Sequence, residues 1–372
     1  MFIAHRSALV EALRLVGQVV ERRNTIPICQ NVLFERAGPG ELAARVTDMD
    51  IEATIPFETI SIDDGFRGFT VPAILLSDII RKLPENADVK VEAADDNLSA
   101  VHVRSGRSKF RLQVLPESDF PTIQTGELPH GFSVSAAALA PAVSAVAFAV
   151  STEETRHYLN GIFIHPGEYG DTSGLKLVAT DGHRLSKRFI RIDDIPADMP
   201  GVIIPKKTVE VISKHLPKDG SVRFDVSENK IRLSIGDMTI TSKLVDGKFP
   251  DYVRVIPSHE DFVEIESKPF VAAIGRVSTM SSGSNAMKMH FGGGTLTLSV
   301  SNPDSGNADD EVTYQGQADL TIGFNAKYVT EALNQLPEGT ARLYLADAGS
   351  PAVLRSDGDH AENVIVLMPM RV

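Results

Sequence analysis

The chain has 372 residues, 42% hydrophobic and 23% charged, with one Cys, no Trp, and 37 Lys and Arg against 49 Asp and Glu for a net charge of −12. That apolar share excludes disorder as the main state, and the length allows about two to four domains. The acidic balance argues against general adhesion to phosphate backbones or anionic lipid, and a lone Cys29 forbids an internal disulfide and suits a reducing cytoplasm.

The N-terminus, MFIAHRSALVEALRLV, interleaves Arg6, Glu11 and Arg14 with apolar residues. This predicts an amphipathic helix over 6–23, with Leu9, Leu13, Val16 and Val20 on one face, and not the unbroken apolar core of a signal peptide. An alternating run closes at Thr47-Asp48, and a helix pattern over 73–85 ends in Leu83-Pro84. The string LPESDFP follows at 115–121. The next helix pattern, 135–158, carries Leu139, Val143, Val146 and Val150 at helical spacing. Its apolar stretch is interrupted by Pro141 and Ser144 and is shorter than the roughly 18 to 20 residues that span a bilayer. LKLVATD closes at Thr180-Asp181, a helix over 206–218 ends in Leu216-Pro217, and VRFDVS and IRLSIG alternate as half-buried strands do. LVDGKFP occupies 244–250. Phe270, Ile274 and Val277 mark a helix beginning at 267, TLTLSVSN ends at Asn302, and a last helix over 326–338 ends in Leu336-Pro337.

These landmarks recur in order. The Leu-Pro closers are separated by 133 and then 120 positions, and the Thr-Asp closers by the same 133. The unit is helix, strands, helix, strands, repeated three times, and at this size each copy can bury its own core. The expected fold class is α+β, three repeated domains of antiparallel sheet with two helices each on one face. Boundaries are expected near 126 and 258, where TIQTGELPHG and VIPSHED gather polar, Gly and Pro residues, giving domains 1–126, 127–257 and 258–372.

Motifs for chemistry are sparse. The ten His are scattered singly, with no pair at ligand spacing on a helix face, so no metal site is expected. The GGG at 292–294 precedes a strand-like run and reads as a hairpin turn. TDGHRLSK at 180–187 is the densest polar cluster. Asp181, His183, Arg184 and Ser186 there admit an acid-base reading, but Asp-Gly after a strand is foremost a turn signal. An enzyme using the His183 region therefore stays as one alternative, and a peptide-binding scaffold with no nucleic-acid partner as another.

YLNG at 158–161, ATDGHRL at 179–185, SKLVDGKFPDY at 242–252, GFNAKYV at 323–329 and VLMPMRV at 366–372 occur in this order along essentially the whole chain. In these strings the chain closely resembles the β sliding clamps, processivity subunits of bacterial DNA polymerase III. The resemblance implies the DNA clamp fold, a head-to-tail homodimeric ring around duplex DNA, no catalytic residues, no metal and no cofactor. It implies as partners double-stranded DNA without sequence preference, the DNA polymerase III α subunit, the clamp loader and other proteins bearing a clamp-binding motif, all in the cytoplasm and without a membrane.

By the same resemblance, Arg23, His157, Tyr158, Lys206 and Lys207 fall at DNA-contacting positions. A His at 157, where relatives often carry Tyr, alters the stacking there, and an acidic Glu153 stands where relatives place a polar contact. A peptide-binding pocket is implied from Leu159, Thr180, Gly182, His183, Arg184 and Leu185, with Pro250, Arg254 and Val255 at a junction. Asn325, Tyr328, Val366, Met368, Pro369, Met370, Arg371 and Val372 complete it. A dimer seam is implied between Phe110 and Leu112, flanked by Arg104, Arg107 and Lys109, and an opposite face with Thr279, Met280, Asp304, Asp309, Asp310 and Glu311.

Charge is not spread evenly. The segments 6–23, 73–85, 135–158, 206–218, 267–276 and 326–338 hold 14 Lys and Arg against 9 Asp and Glu, so the rest of the chain carries −17. The expected place for a nucleic acid is therefore against the helices, inside an otherwise repelling body.

Overall fold

A computed structural model describes residues 1–281, 283, 285–356 and 363–372. They form two compact units, Met1–Ala136 with Glu210–Leu244, and Ala137–Val209 with Val245–Val372. The helices among the described residues are α1 (Arg6–Ala12), α2 (Val16–Val19), α3 (Ala73–Lys82), α4 (Ala136–Ala147), α5 (Lys206–His215), α6 (Ser267–Val277) and α7 (Ala326–Leu333). Each third of the chain runs strand, helix, three strands, strand, helix, three strands; the first third divides its leading helix into α1 and α2 and adds a two-residue strand, Ser61–Ile62.

The first unit holds two antiparallel sheets. One has eight strands, in the order His130–Ser135, Ser221–Val226, Lys230–Ile235, Met238–Lys243, Ile51–Glu58, Glu41–Thr47, Asn31–Gly38 and Phe69–Pro72. The other has five and ends on the edge strand Ser108–Gln113. The second unit repeats the plan. Its eight-stranded sheet runs Val202–Pro205, Gly161–Tyr169, Thr172–Thr180, Arg184–Arg191, Val364–Leu367, Ala352–Ser356, Thr340–Tyr344 and Phe262–Glu266. Its four-stranded sheet ends on the edge strand Gly306–Thr313.

Period-two alternation is visible in the burial of Ile51–Glu58, where Ile51, Ala53, Ile55 and Phe57 point inward. Phe2, Phe34, Phe57 and Phe69 meet beneath it at centroid distances of 5.6 to 6.4 Å. In the second unit Phe270, Phe291 and Phe324 pack with Met287 and Met289. Burying each such ring contributes about 1.5–3 kcal/mol, which holds helices and sheets together in each unit.

The sheets within each unit cross the repeats. Strand Met238–Lys243 pairs with Ile51–Glu58 in the register Thr239 to Thr54, Ile240 to Ala53, Thr241 to Glu52 and Ser242 to Ile51. Strand Val364–Leu367 pairs with Arg184–Arg191 in the register Val364 to Lys187, Ile365 to Ser186, Val366 to Leu185 and Leu367 to Arg184. In both, the last strand of one repeat meets the fourth strand of the one before it.

Helix ends differ from the sequence expectation at several places. The expected helix 6–23 stops at Ala12 and resumes at Val16. Leu13 and Leu15 are both 1% exposed, and on a regular helix they would point roughly 200° apart. Tightening the backbone into i to i+3 bonds, Arg14 N–H to Glu11 O and Val16 N–H to Leu13 O, lets both face the core. The expected helix 135–158 ends at Ala147, and Glu154–Leu159 is a separate 3₁₀ turn; Glu153 N–H is held by the Ser151 hydroxyl instead of a helical carbonyl. The Leu-Pro closers lie just outside their helices, with Leu83 extended at φ −71°, ψ 157°, as the residue before Pro must be. Gly293 and Gly294 form the hairpin turn expected at GGG, with φ 59° and 81°.

The Thr-Asp landmark is a shared turn. Asp48 Oδ1 accepts from Asp50 N–H and Ile51 N–H at 2.9 and 2.7 Å, while Thr47 Oγ1 donates to Ile51 O at 2.9 Å and accepts from Met49 N–H at 3.0 Å. Its third residue is left-handed, and here that residue is Met49 at φ 79°. The matching position in the second repeat is Gly182 at φ 88°. A side chain in this region costs about 1–2 kcal/mol, partly offset because Gly loses more entropy on folding. Met49→Gly should therefore raise stability by about 0.5 kcal/mol in urea unfolding, and a lowered midpoint would show that the Met49 side chain contributes packing that outweighs the strain.

Candidate functional site

The second unit contains most of the residues marked by the sequence. Strand Thr172–Thr180 turns at Thr180 into Arg184–Arg191 by the same device as Thr47. Asp181 Oδ1 accepts from His183 and Arg184 N–H at 2.9 and 3.0 Å, and Thr180 Oγ1 donates to Arg184 O at 2.6 Å and accepts from Gly182 N–H at 3.1 Å. Both polar side chains are thus committed to shaping the turn, which leaves Gly182 and His183 on the surface.

Arg184 is the centre of the site. Its side chain is 9% exposed, yet it carries a full charge. Nε donates to Asp181 Oδ2 at 3.0 Å, one terminal nitrogen pairs with Glu331, and the other donates to Phe148 O at 2.6 Å. The guanidinium lies 5.0 Å from the Phe148 ring and 4.3 Å from the Tyr328 ring. A buried charge needs this many partners, and stacking on two aromatic faces adds attraction. Ending α4 at Ala147 leaves the Phe148 carbonyl available. Tyr328 in turn stacks on His183 at 6.2 Å and 26°, and burial pushes its phenol above the usual range. Asn325 caps α7, its Oδ1 accepting from Lys327 and Tyr328 N–H at 3.0 and 3.3 Å, which fixes where Tyr328 emerges.

The C-terminal segment lies across this cluster. Met368 N–H donates to His183 O and Met370 N–H to Gly323 O, each at 2.9 Å. The implied pocket residues separate into two sets. Leu159, Thr180, Arg184, Leu185 and Val366 are buried and form the floor. Gly182, His183, Pro250, Arg254, Val255, Met368, Arg371 and Val372 are exposed, with Asn325, Tyr328, Pro369 and Met370 half-buried. Met368, Val255, Val253 and Val372 are 40 to 64% exposed, an apolar rim on a polar surface.

The segment carrying Pro250, Arg254 and Val255 is anchored by an aromatic column that the sequence did not single out. Phe249 stacks on Phe163 at 4.7 Å and 5°, Phe163 contacts His165 at 5.1 Å, and His165 Nε2 is 2.9 Å from the Tyr252 hydroxyl. Pro166 O, 2.7 Å from His165 Nδ1, can only accept. The proton is therefore on Nδ1, and Nε2 accepts from Tyr252. Phe148 and Glu331 were missed as well; Glu331 at i+3 from Tyr328 on α7 was the available signal.

The other implied residues are placed as follows. His157 and Tyr158 meet edge to face at 5.8 Å within the 3₁₀ turn, and His157 Nε2–H donates to Asp246 O at 3.0 Å. Glu153 is paired with Arg156 at 3.4 Å. Lys206 and Lys207 open α5 half-buried, and Arg23 is exposed in a turn of the first unit. Of the seam residues, Lys109, Phe110 and Leu112 lie on the edge strand Ser108–Gln113, Arg107 is in the turn before it, and Leu112 is already 4% exposed within its own unit. Arg104 is spent on Glu92 at 2.6 Å. Asp309, Asp310 and Glu311 lie on the edge strand Gly306–Thr313, and Asp304 is exposed in the turn before it; Asp310 is bound to Arg276 at 2.5 Å. Thr279 donates to Arg276 O at 2.7 Å, and Met280 lies beside Gly306. Among the described residues no group of three or more His, Cys, Asp and Glu is arranged to hold a metal ion, and no helix is long and apolar enough to cross a membrane.

Family models for the DNA polymerase III beta subunit match the chain in three successive parts, the N-terminal domain at 1–124, the central domain at 133–251 and the C-terminal domain at 253–371. The beta sliding clamp of Caulobacter vibrioides is 38% identical over 99% of this chain and 98% of its own length, and that of Escherichia coli is 33% identical over 100% of both. A solved sliding clamp (DNA polymerase III subunit beta) from Bartonella birtlesii, bound to griselimycin, superposes with a TM-score of 0.94 at 41% identity, covering 100% of this chain and 99% of that one.

The His165 column yields a pH prediction. Burial, with Lys176 and Lys187 nearby, holds the imidazole below its ordinary pKa. The unfolded chain then binds a proton that the folded chain does not, so this contribution is present above the ordinary value and is lost as pH falls through it. Lowering the pH from about 7.5 to about 5.5 should depress the thermal midpoint of the native protein more than that of His165→Gln. Parallel curves for the two would remove His165 as the titrating group.

Proposed function

Because the chain belongs to the family of DNA polymerase III beta subunits, the beta sliding clamps, we propose that two copies close head to tail around duplex DNA and tether the replicative polymerase to it. The observation that carries this is the pair of unfilled edges. Strand Ser108–Gln113 is the last strand of the first repeat and Gly306–Thr313 the fourth strand of the last, the same two kinds of strand that pair at both crossings within the chain. A second copy supplies the missing partner for each. Three domains, 1–126, 127–257 and 258–372, then become six in the dimer.

The internal repeats supply a register for that closure. The turns at Gly106 and Gly236 correspond, so Leu112 matches Ser242. The pairing of Asn302 with Gly306 corresponds to Asp181 opposite Arg184, so Gly306 matches Arg184 and Ile51. Carrying the internal registers across places Leu112 opposite Gly306, Phe110 opposite Ala308, Lys109 opposite Asp309 and Arg107 opposite Glu311 of the second copy. The apolar pair faces inward, and two opposite-charge pairs face solvent, each contributing about 0.2–1 kcal/mol. Thr279 and Met280 lie at the same edge.

A ring holds DNA by topology, so its contacts are best weak and directed at phosphate. Arg23, Lys206 and Lys207 suit that role, with His157 and Tyr158 offering ring faces to a single strand. The apolar rim of Met368, Met370, Val372 and Val255 around Tyr328 suits a short peptide with aliphatic and aromatic anchors, and Met adapts to several such partners. The polymerase α subunit, the clamp loader and other motif-bearing proteins would share it. The protein has no catalysis of its own in this reading, since Asp181 and Arg184 are spent on structure, and it works in the cytoplasm where the DNA is.

Loaded by a clamp loader onto circular plasmid, the protein should co-elute with the DNA in gel filtration and be released when the plasmid is cut once. A catalytic or scaffolding protein would be indifferent to DNA ends, and retention on linear DNA would overturn the ring. Lys109→Glu alone should weaken the dimer in sedimentation, and adding Asp309→Lys should recover it; equal weakening in the double variant would reject the derived register.

A further inference from the structure

The implied peptide pocket owes much of its wall to Met368–Val372, and the strand beneath that segment has one feature the other repeats lack. In each repeat the chain leaving the last strand bonds to the strand that leads into the second helix. Leu115 bridges Thr70, Val245 N–H donates to Ile203 O at 3.0 Å, and Met370 N–H donates to Gly323 O at 2.9 Å. Thr70, Ile203 and Gly323 are thus equivalent. The first two carry branched side chains and are 0 and 2% exposed. The third has none.

That absence is filled from above. A Cβ built on Gly323 would crowd the Met370 carbonyl oxygen and lie 2.5 Å from Val372 Cγ1 and 2.7 Å from Val372 Cγ2. No real side-chain carbon tolerates such approaches, and the nearest atom is backbone, which cannot swing aside. The Val372 side chain therefore sits in the volume that any residue but glycine would claim. Gly323 has ordinary negative φ, so backbone conformation is not what requires glycine here; the close approach is. In the first two repeats the outgoing chain is tied down further along by an aromatic residue, Phe120 among Ile28, Cys29 and Leu33, and Phe249 on Phe163. In the third, the notch at Gly323 does this work for Val372.

We infer that Gly323 is a positioning residue of the peptide pocket, a socket for Val372 that sets the height of Met370 and Arg371 between them. This rests on the reading that Met370 lines the pocket. Gly323 has no side chain to offer a partner; it acts through the segment it seats.

The test uses the full-length protein and a fluorescein-labelled peptide with the clamp-binding motif of a polymerase α subunit, read by fluorescence polarisation. Gly323→Ala should weaken binding about tenfold or more, with dimer mass in sedimentation unchanged. Val372→Ala leaves the strand untouched and empties the socket; it should weaken binding about threefold. In both variants carboxypeptidase should release residue 372 and Arg371 faster than from the native protein, a readout of segment seating that a merely stabilising role would not move. Met370→Asp separates the two readings. If it leaves affinity unchanged, the pocket assignment fails; if it abolishes binding while Gly323→Ala binds and resists carboxypeptidase like the native chain, the socket fails alone. Should Gly323→Ala not fold, a native carboxypeptidase rate in Val372→Ala is enough to overturn it.

Discussion

Backbone pairing between the fourth strand of one repeat and the last strand of the next is the constraint on which the rest of the structure depends. It makes one continuous eight-stranded sheet out of parts of two repeats, twice. The compact units consequently follow the crossings and not the repeats, and the middle third of the chain is divided between them. A sheet edge is a row of unmet donors and acceptors, so a chain built this way with three repeats must leave one edge of each kind exposed. Those two edges are the ones that the proposed closure fills. The proposed ring is the arrangement in which a third pairing of the same type, made twice between two copies, leaves none.

The same crossing builds the candidate pocket. Pairing Val364–Leu367 to Arg184–Arg191 brings Met368 onto His183 and sends the following residues across Gly323. The charge of Arg184 is what locks the turn to α7, through Asp181, Glu331 and two aromatic faces. In the first repeat the corresponding residue is Ile51, which is simply buried. One turn geometry thus serves an apolar core position in one place and a polar hub in another, because its hydrogen bonds come from Thr and Asp and leave the fifth residue's side chain free to vary.

How much was legible follows from what each signal depends on. The repeats were readable because Leu-Pro and Thr-Asp mark local events, a helix stop and an Asx-type turn, that need no tertiary information. The ends of the first helix were not, since only the core decides that Leu13 and Leu15 must both face inward. The pocket residues could be carried over by resemblance, but the division into floor and rim could not; Leu159, Leu185 and Val366 look no more buried in sequence than Val255 or Val372. His165 and Tyr252 stand 87 positions apart, and nothing local relates them. Gly323 lay inside a recognised string, yet its meaning appears only when Val372 is seen in the space above it.

The net charge of −12 takes its meaning from these placements. Trimmed to their observed ends, the helices hold nine Lys and Arg against four Asp and Glu, the same excess of +5 as the longer segments, so the frayed ends carried no net charge. Four of the five belong to α5 and α6, and α4 contains no charged residue at all. In a ring of two copies the attraction for phosphate would come from a few separated helices with neutral stretches between them. Each phosphate contact contributes a salt-dependent share of affinity, and so few, so spaced, cannot fix the duplex at one position. In the proposed ring, residence on DNA would come from closure, and the strength of the two proposed edge pairings, more than any basic residue, would determine how long the protein stays.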